Sequence, residues 1–487
     1  MKRRDFLKTS SILGLSNLVP LSLFGGEFND YKALVVVMLH GGNDGFNMVV
    51  PTSESGYNNY ATNRGDLAIA KDALTLSTDD SGKLTLSKGE GNPYYKNNSI
   101  KEAYKKGLYH TTIDGIGINP LMPEFAHLVN SNKIAVAANM GLLHEPSTKE
   151  ALLSGKAKRP LYMYSHNSQR ELFYIGNSQK PGIRGLAGAL ADKWGDINNN
   201  SVYKLNMAID SASKLQYGDI TNPIVVSRNG PKKFTKVQDD ERELYNRLLQ
   251  IEDSSEFLKA YKKLKVSTFA YQDRLVNDWN NVGLNLSSTN SYGDALFSHM
   301  SESDLGVDEK EKPGTRFIDK MKALLKLIKI GKDSGLKRQI FYVEHFGYDT
   351  HGNQTLTHAK LLRELSIALY DFQTAIDELG LSQNVTTFNI SDFGRSAGNN
   401  GDGSDHAWGS HYFIMGGAVK GGLYGQMPDL TLGGQSDITK KGRIIPTISH
   451  AQYYSTLLKW FGVDSSTIEQ ILPEVKNFNV KDLGFLA

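Results

Sequence analysis

The first strong hydrophobic segment, Tyr31-Lys32-Ala33-Leu34-Val35-Val36-Val37-Met38-Leu39, is nearly unbroken rather than alternating, and it stops at His40-Gly41-Gly42-Asn43-Asp44-Gly45. Unbroken β-branched apolarity predicts a strand covered on both faces, as in a parallel sheet between helices. Further buried strands are expected over 133–139, 339–345, 384–390 and 412–415. Apolar residues at three-to-four spacing predict amphipathic helices over 317–330 and 357–379, the second closed by Gly380. Strands alternating with a helix-length crossover define an α/β class with a parallel sheet. Residues 52–108 are polar, show no strong period and read as a long decorated excursion. Residues 190–335 read as a mainly helical insertion, with a charge-rich amphipathic segment at 239–271 between Asn/Ser/Gly-rich stretches at 197–201 and 286–294.

Composition narrows the chemistry. The chain has 487 residues, a formal net charge of +3 and no cysteine. So small a charge, without a basic stripe, argues against a nucleic-acid binder. Without Cys, a metal has only His, Asp, Glu, Asn or backbone oxygen to hold it. The start of the chain, Met1-Lys2-Arg3-Arg4-Asp5-Phe6-Leu7-Lys8, resembles a twin-arginine export signature. The weakly apolar stretch after it holds Ser, Asn and Pro20, too short and polar for a permanent span. Residues 1–27 are therefore expected to be a signal segment, followed by one domain over 28–487. The resemblance implies the twin-arginine translocase as a partner, and a periplasmic or surface location.

Polar residues gather just past the ends of the expected strands, where open α/β sheets carry their sites. His40 and Asp44 follow the first strand, and Asp349-Thr350-His351 follows the strand ending at His345. Asp392 and Arg395 come after the next strand, and a Gly-rich loop then delivers Asp405, His406 and His411. Carboxylates with imidazoles suit Zn²⁺, Mn²⁺ or Mg²⁺, singly or paired. Each piece alone also has an ordinary reading, since Asp after a strand commonly caps a helix or forms a turn.

The runs Gly41-Gly42-Asn43-Asp44-Gly45-Phe46-Asn47, Gly347-Tyr348-Asp349-Thr350-His351 with Gln354 and His358, Ser391-Asp392-Phe393-Gly394-Arg395 and Gly401-Asp402-Gly403-Ser404-Asp405-His406-Ala407-Trp408-Gly409 resemble an uncharacterised exported family, domain of unknown function 1501. That family is grouped with the alkaline phosphatases and sulfatases. The resemblance implies a doubly wound, mostly parallel sheet with a metal site at its C-terminal edge. It also implies Asp44, Asp349, His351, Asp392 and His406 as metal ligands, with His411 as runner-up to His406. Phe393 stands where the superfamily has an imidazole, so one metal site lacks an expected ligand. Arg395 is then a candidate for gripping phosphate or sulfate oxygens.

A superfamily nucleophile belongs at a helix N-terminus after the second strand. Ser165, with His166 beside it, is the favoured candidate; Ser147-Thr148 with Glu150 reads equally as an ordinary helix start. Two functions follow: a metal-dependent hydrolase of small or polymeric phosphate or sulfate esters, or a non-catalytic binding or assembly protein on the same scaffold.

Overall fold

The computed structural model describes residues 28–89, 99–198, 203–232, 243–244, 247–249, 251 and 255–487. The expected signal segment 1–27, with Arg3 and Arg4, lies outside the described residues, as does much of 239–254.

A nine-stranded sheet forms the centre of a mixed α/β fold. Its strands are β1 (Lys32–His40), β2 (Ile134–Gly141), β3 (Asn206–Ile209), β4 (Ile224–Val226), β5 (Arg338–Phe346), β6 (Val385–Ser391), β7 (Ser410–Met415), β8 (Gly422–Tyr424) and the short β9 (Ile448–Ser449). The spatial order is β8-β2-β7-β6-β1-β5-β3-β4, with β9 also against β2. Pairing is parallel except at β7, which runs antiparallel to both β6 and β2. β1 is covered on both faces, and its side chains divide between two cores. Ala33, Val35, Val37 and Leu39 enter one, and Leu34, Val36 and Met38 enter the other. Helices Arg316–Asp333 and Gln354–Glu378 pack the first core; the helices His166–Ile175 (α1), Leu186–Trp194 (α2) and His450–Phe461 (α3) pack the second. Each buried Val or Leu in these layers contributes about 1.5–3 kcal/mol.

Two stretches carry more sheet than their polarity suggests. Residues 52–108 contribute the helix Glu54–Arg64 and short strands to a separate four-stranded sheet with Val49–Pro51 and Ile116–Ile118. That helix buries Tyr60 and Arg64, one of them charged, so its sequence shows no apolar stripe. Residues 190–335 hold the helices Glu256–Asn281 and Arg316–Asp333, and also β3 and β4, which extend the central sheet. No helix among the described residues is long and apolar enough to cross a membrane.

Register positions the site. Leu39 of β1 lies level with His345 of β5 and Ser391 of β6, so three strand ends finish side by side. Gly41 (φ +114°) and Gly42 (φ +81°) let the loops beyond them close up. A Cβ on Gly41 would stand 2.3 Å from the backbone nitrogen of Asp349, and one on Gly42 would stand 2.7 Å from the Phe393 ring.

Candidate metal centre

Three structural units bring donors to one point beyond these strand ends. The loop after β5 presents Asp349 and His351. A two-stranded ribbon, Arg395–Asn399 with Ser404–His406, folds His406 back over the edge. From the opposite side, α1 opens with His166 immediately after Ser165. The approach to α1 is unusual: Tyr162 (φ +51°) and Tyr164 (φ +69°) both adopt left-handed backbone, which costs energy for bulky residues. The turn aims the Tyr164 carbonyl at His406 Nδ1, 3.0 Å away.

That contact fixes a proton. A carbonyl can only accept, so His406 Nδ1 carries the hydrogen and Nε2 presents a lone pair. His166 is fixed likewise, with Nδ1 2.7 Å from Asp392 Oδ2. Its Nε2 then faces His406 Nε2 at 3.0 Å, acceptor against acceptor. His351 Nε2 lies 2.8 Å from the same His406 nitrogen and 3.2 Å from Asp349 Oδ1, and its Nδ1 is 3.4 Å from Asp405 Oδ1. Asp349 Oδ1 is 3.2 Å from His406 Nε2, and Asp349 Oδ2 is 3.3 Å from His166 Nε2. Ligand atoms of His166, Asp349 and His406 all lie within 4.8 Å of one another, a spacing able to hold a metal ion. Burial lowers the pKa of His406 below its ordinary value, which keeps the ring neutral as ligation requires. Burial alone would raise Asp349, but the hydrogen bond and positive charge of Arg395 outweigh it and hold the carboxyl low.

The remaining sequence-derived candidates fall elsewhere or act from behind. Asp392 is buried and supports His166 through Oδ2; its Oδ1 has no hydrogen-bond partner. Phe393, where the resemblance implied an imidazole, packs its ring 4.7 Å from His166 of α1 and 4.6 Å from His406. Asp44, expected as a ligand, sits beneath the site. Its carboxylate takes both Arg64 terminal nitrogens at 2.7 and 2.8 Å and Gln354 Nε2 at 2.6 Å, so its charge is already matched. His411, the alternative ligand, is buried against Phe46. Its Nδ1 accepts the Asn139 N–H, and burial pushes its pKa down to about 3. Arg395, expected to hold substrate, is buried and bonds Asp349 Oδ1 at 2.8 Å, the Gly41 carbonyl and Ser404. It positions Asp349 instead of facing solvent. Ser165 occupies the N-cap of α1, exposed, with its hydroxyl on Ser168 Oγ at 3.3 Å. Thr148 caps its own short helix by accepting from Ala151 N, the ordinary role for such a residue.

Sequence reasoning did not single out Arg64 or Arg170. Arg170 has a readable signal, since His166-x-x-x-Arg170 puts both on one helix face.

The family described as "Protein of unknown function (DUF1501)" matches residues 333–472, less than half of the chain. That segment holds Asp349, His351, Asp392, Arg395, His406 and His411, while His166 lies outside it. Among solved structures, the chain is similar to a protein in the alkaline phosphatase superfamily from Vibrio parahaemolyticus, at 10% identity and TM-score 0.36, over 90% of this chain and 68% of that one. It is also similar to a sulfatase from Pseudoalteromonas sp., at 10% identity and TM-score 0.34, over 99% and 75%. A third is the lipoteichoic acid synthase LtaP from Listeria monocytogenes, at 7% identity and TM-score 0.31, over 91% and 74%. No curated protein matches the chain.

Proposed function

We propose that the chain is an exported hydrolase of phosphate or sulfate esters that uses one divalent metal ion, held by His166, His351, His406 and Asp349. The observation that carries this reading is the meeting of His166 Nε2 and His406 Nε2 at 3.0 Å, each with its proton committed to the far nitrogen. Facing lone pairs beside a carboxylate repel unless a cation lies among them. Three imidazoles with one carboxylate suit Zn²⁺, or Mn²⁺, better than Mg²⁺, which prefers oxygen donors. One ion rather than two follows from Asp44, whose charge is matched by Arg64.

A bound ion supplies Lewis acidity toward an ester oxygen. The chain's own residues prepare the geometry. Asp392 and the Tyr164 carbonyl set the ring orientations of His166 and His406. Arg395 keeps Asp349 ionised and in place. Ser165, at the N-terminus of α1, is the proposed nucleophile, with unpaired helix N–H groups favouring negative charge nearby. Arg3 and Arg4 are proposed to route the folded chain through the twin-arginine translocase to the periplasm or cell surface. Replacing both with Lys is expected to leave the protein in the cytoplasmic fraction.

A second reading, a non-catalytic binding or assembly protein, is favoured by Phe393, which puts an inert ring against two of the proposed ligands. Hydrolysis of p-nitrophenyl phosphate and p-nitrophenyl sulfate separates the two. The hydrolase reading expects turnover of one ester, lost on chelation, restored by zinc and absent in His166→Ala. Metal bound without turnover of either ester class moves the assignment to the binding protein.

A further inference from the structure

We propose that Arg170 is the oxyanion anchor of this site, gripping the free oxygens of a phosphate or sulfate group, with His40 and Glu344 as positioning residues behind it. The inference deepens the hydrolase reading and rests on it for the identity of the ligand, but the geometry stands separately.

Arg170 lies one turn after His166 on α1, and both side chains address the same carboxylate. Asp392 Oδ2 takes His166 Nδ1 at 2.7 Å, while Asp392 Oδ1 lies 3.6 Å from Arg170 Nη1. The second distance exceeds a hydrogen bond, and Oδ1 is buried without a partner. The guanidinium is therefore drawn to the wall of the metal centre without being saturated there. Arg170 Nη1 also lies 3.3 Å from His40 Nδ1. His40 Nε2 faces Glu344 Oε1 at 2.9 Å, so the carboxylate takes the proton on Nε2 and leaves Nδ1 to accept from the guanidinium. Glu344 is pinned in turn by Ser211 Oγ and by Tyr342 OH. The Phe346 ring stacks on His40, centroids 4.4 Å apart and planes 7° from parallel. The relay Glu344–His40–Arg170 thus has little freedom to swing.

Three arginines adjoin the cluster, and their commitments differ. Arg395 is buried and bonds Asp349, Gly41 and Ser404. Arg443 gives Nε to the His406 carbonyl and lies over the Tyr164 ring. Arg170 remains 24% exposed, and of its five N–H groups two have hydrogen-bond acceptors among the described residues, His40 Nδ1 and Asn167 Oδ1. A planar fork with donors to spare, fixed beside a cation site, fits a tetrahedral oxyanion.

The test is calorimetric titration of the full, zinc-loaded chain with inorganic phosphate and, separately, inorganic sulfate, alongside zinc content. Wild type is expected to bind one of them, and the tighter of the two identifies the ester class. Arg170→Ala is expected to weaken that binding by about 10-fold or more, with zinc content unchanged. Arg170→Lys, which keeps charge but not the fork, is expected to fall between them and covers the case in which Ala does not fold. His40→Leu is expected to weaken anion binding without altering zinc content. His40→Gln, which retains one donor and one acceptor, is expected to restore it. Unchanged anion affinity in the Arg170 variants, or no binding of either anion by wild type, overturns the proposal. Failure of zinc to bind contradicts the metal reading alone; Arg170-dependent anion binding, measured then on the metal-free chain, would still support the anchor.

Discussion

Two polar regions lie at the same sheet edge, built from the same residue types, and they have opposite characters. In the upper one Asp349, 47% exposed, meets three imidazoles, with the Nε2 atoms of His166 and His351 both facing that of His406. In the lower one Asp44 and Arg64, both 0% exposed, close on each other, with Gln354 filling a further site on the carboxylate. Beside that pair His358 is tied to Asn43 and Tyr104. One motif feeds both: Asp349 and His351 go up, Gln354 and His358 go down. Gln354 also accepts from Ser404, which contacts Arg395, so the lower network braces the upper one. The comparison teaches that an Asp after a strand acquires its role from the cation it meets. Asp44, fully buried, takes both terminal nitrogens of Arg64, whereas Asp349, half exposed, takes a single Arg395 nitrogen on Oδ1 and keeps Oδ2 facing His166.

The largest effect should come from breaking the lower pair. Arg64→Met leaves a buried carboxylate unmatched and is expected to cost about 3–5 kcal/mol of unfolding free energy, measured by denaturant titration. In the upper region, Asp392→Ala removes the partner that orients His166. It is expected to lower zinc affinity by about 10–100-fold, roughly 1.4–2.7 kcal/mol, with a smaller change in stability. A zinc affinity unchanged by that substitution would remove Asp392 from the site. The smallest effect is a pH slope arising in the lower region. Burial depresses His358 to about 4 and His411 to about 3, against an ordinary 6.5, with Asp44 opposing the shift in both. Their neutral forms are tolerated fully above pH 6.5, and stability is lost as pH falls from there toward 4 and 3, because the unfolded chain takes up protons first. Each group contributes at most about 1.4 kcal/mol per pH unit, so His411→Gln is expected to flatten the stability profile between pH 6.5 and 5.5.

The same contrast explains what the sequence made legible. β1, β5 and β6 were readable because strands buried on both faces are apolar throughout, a signal needing no partner. That Asp349, His351 and His406 lie close together was readable because they follow such strands in glycine-rich loops. The fate of Asp44 was not, since Arg64 reaches it from a helix whose sequence carries no apolar stripe, and only tertiary packing brings the two together. Phe393 misled for a related reason. A missing imidazole in one loop says nothing about α1, distant in sequence, which supplies His166 to Asp392. The orientation of His166 is hidden in the sequence as well, because its tautomer depends on that same distant contact.

The two regions are proposed to differ in the cation they hold, a metal ion beside Asp349 and the Arg64 guanidinium at Asp44. Zinc stoichiometry of the purified full chain, measured by titration of metal-stripped protein followed by elemental analysis, tests this most directly. The expected result is one tightly bound ion per chain in wild type, one in Arg64→Lys, and none in His166→Ala/His406→Ala. Two ions in wild type would show that Asp44 is a ligand after all, and a metal-free wild type would contradict the centre itself.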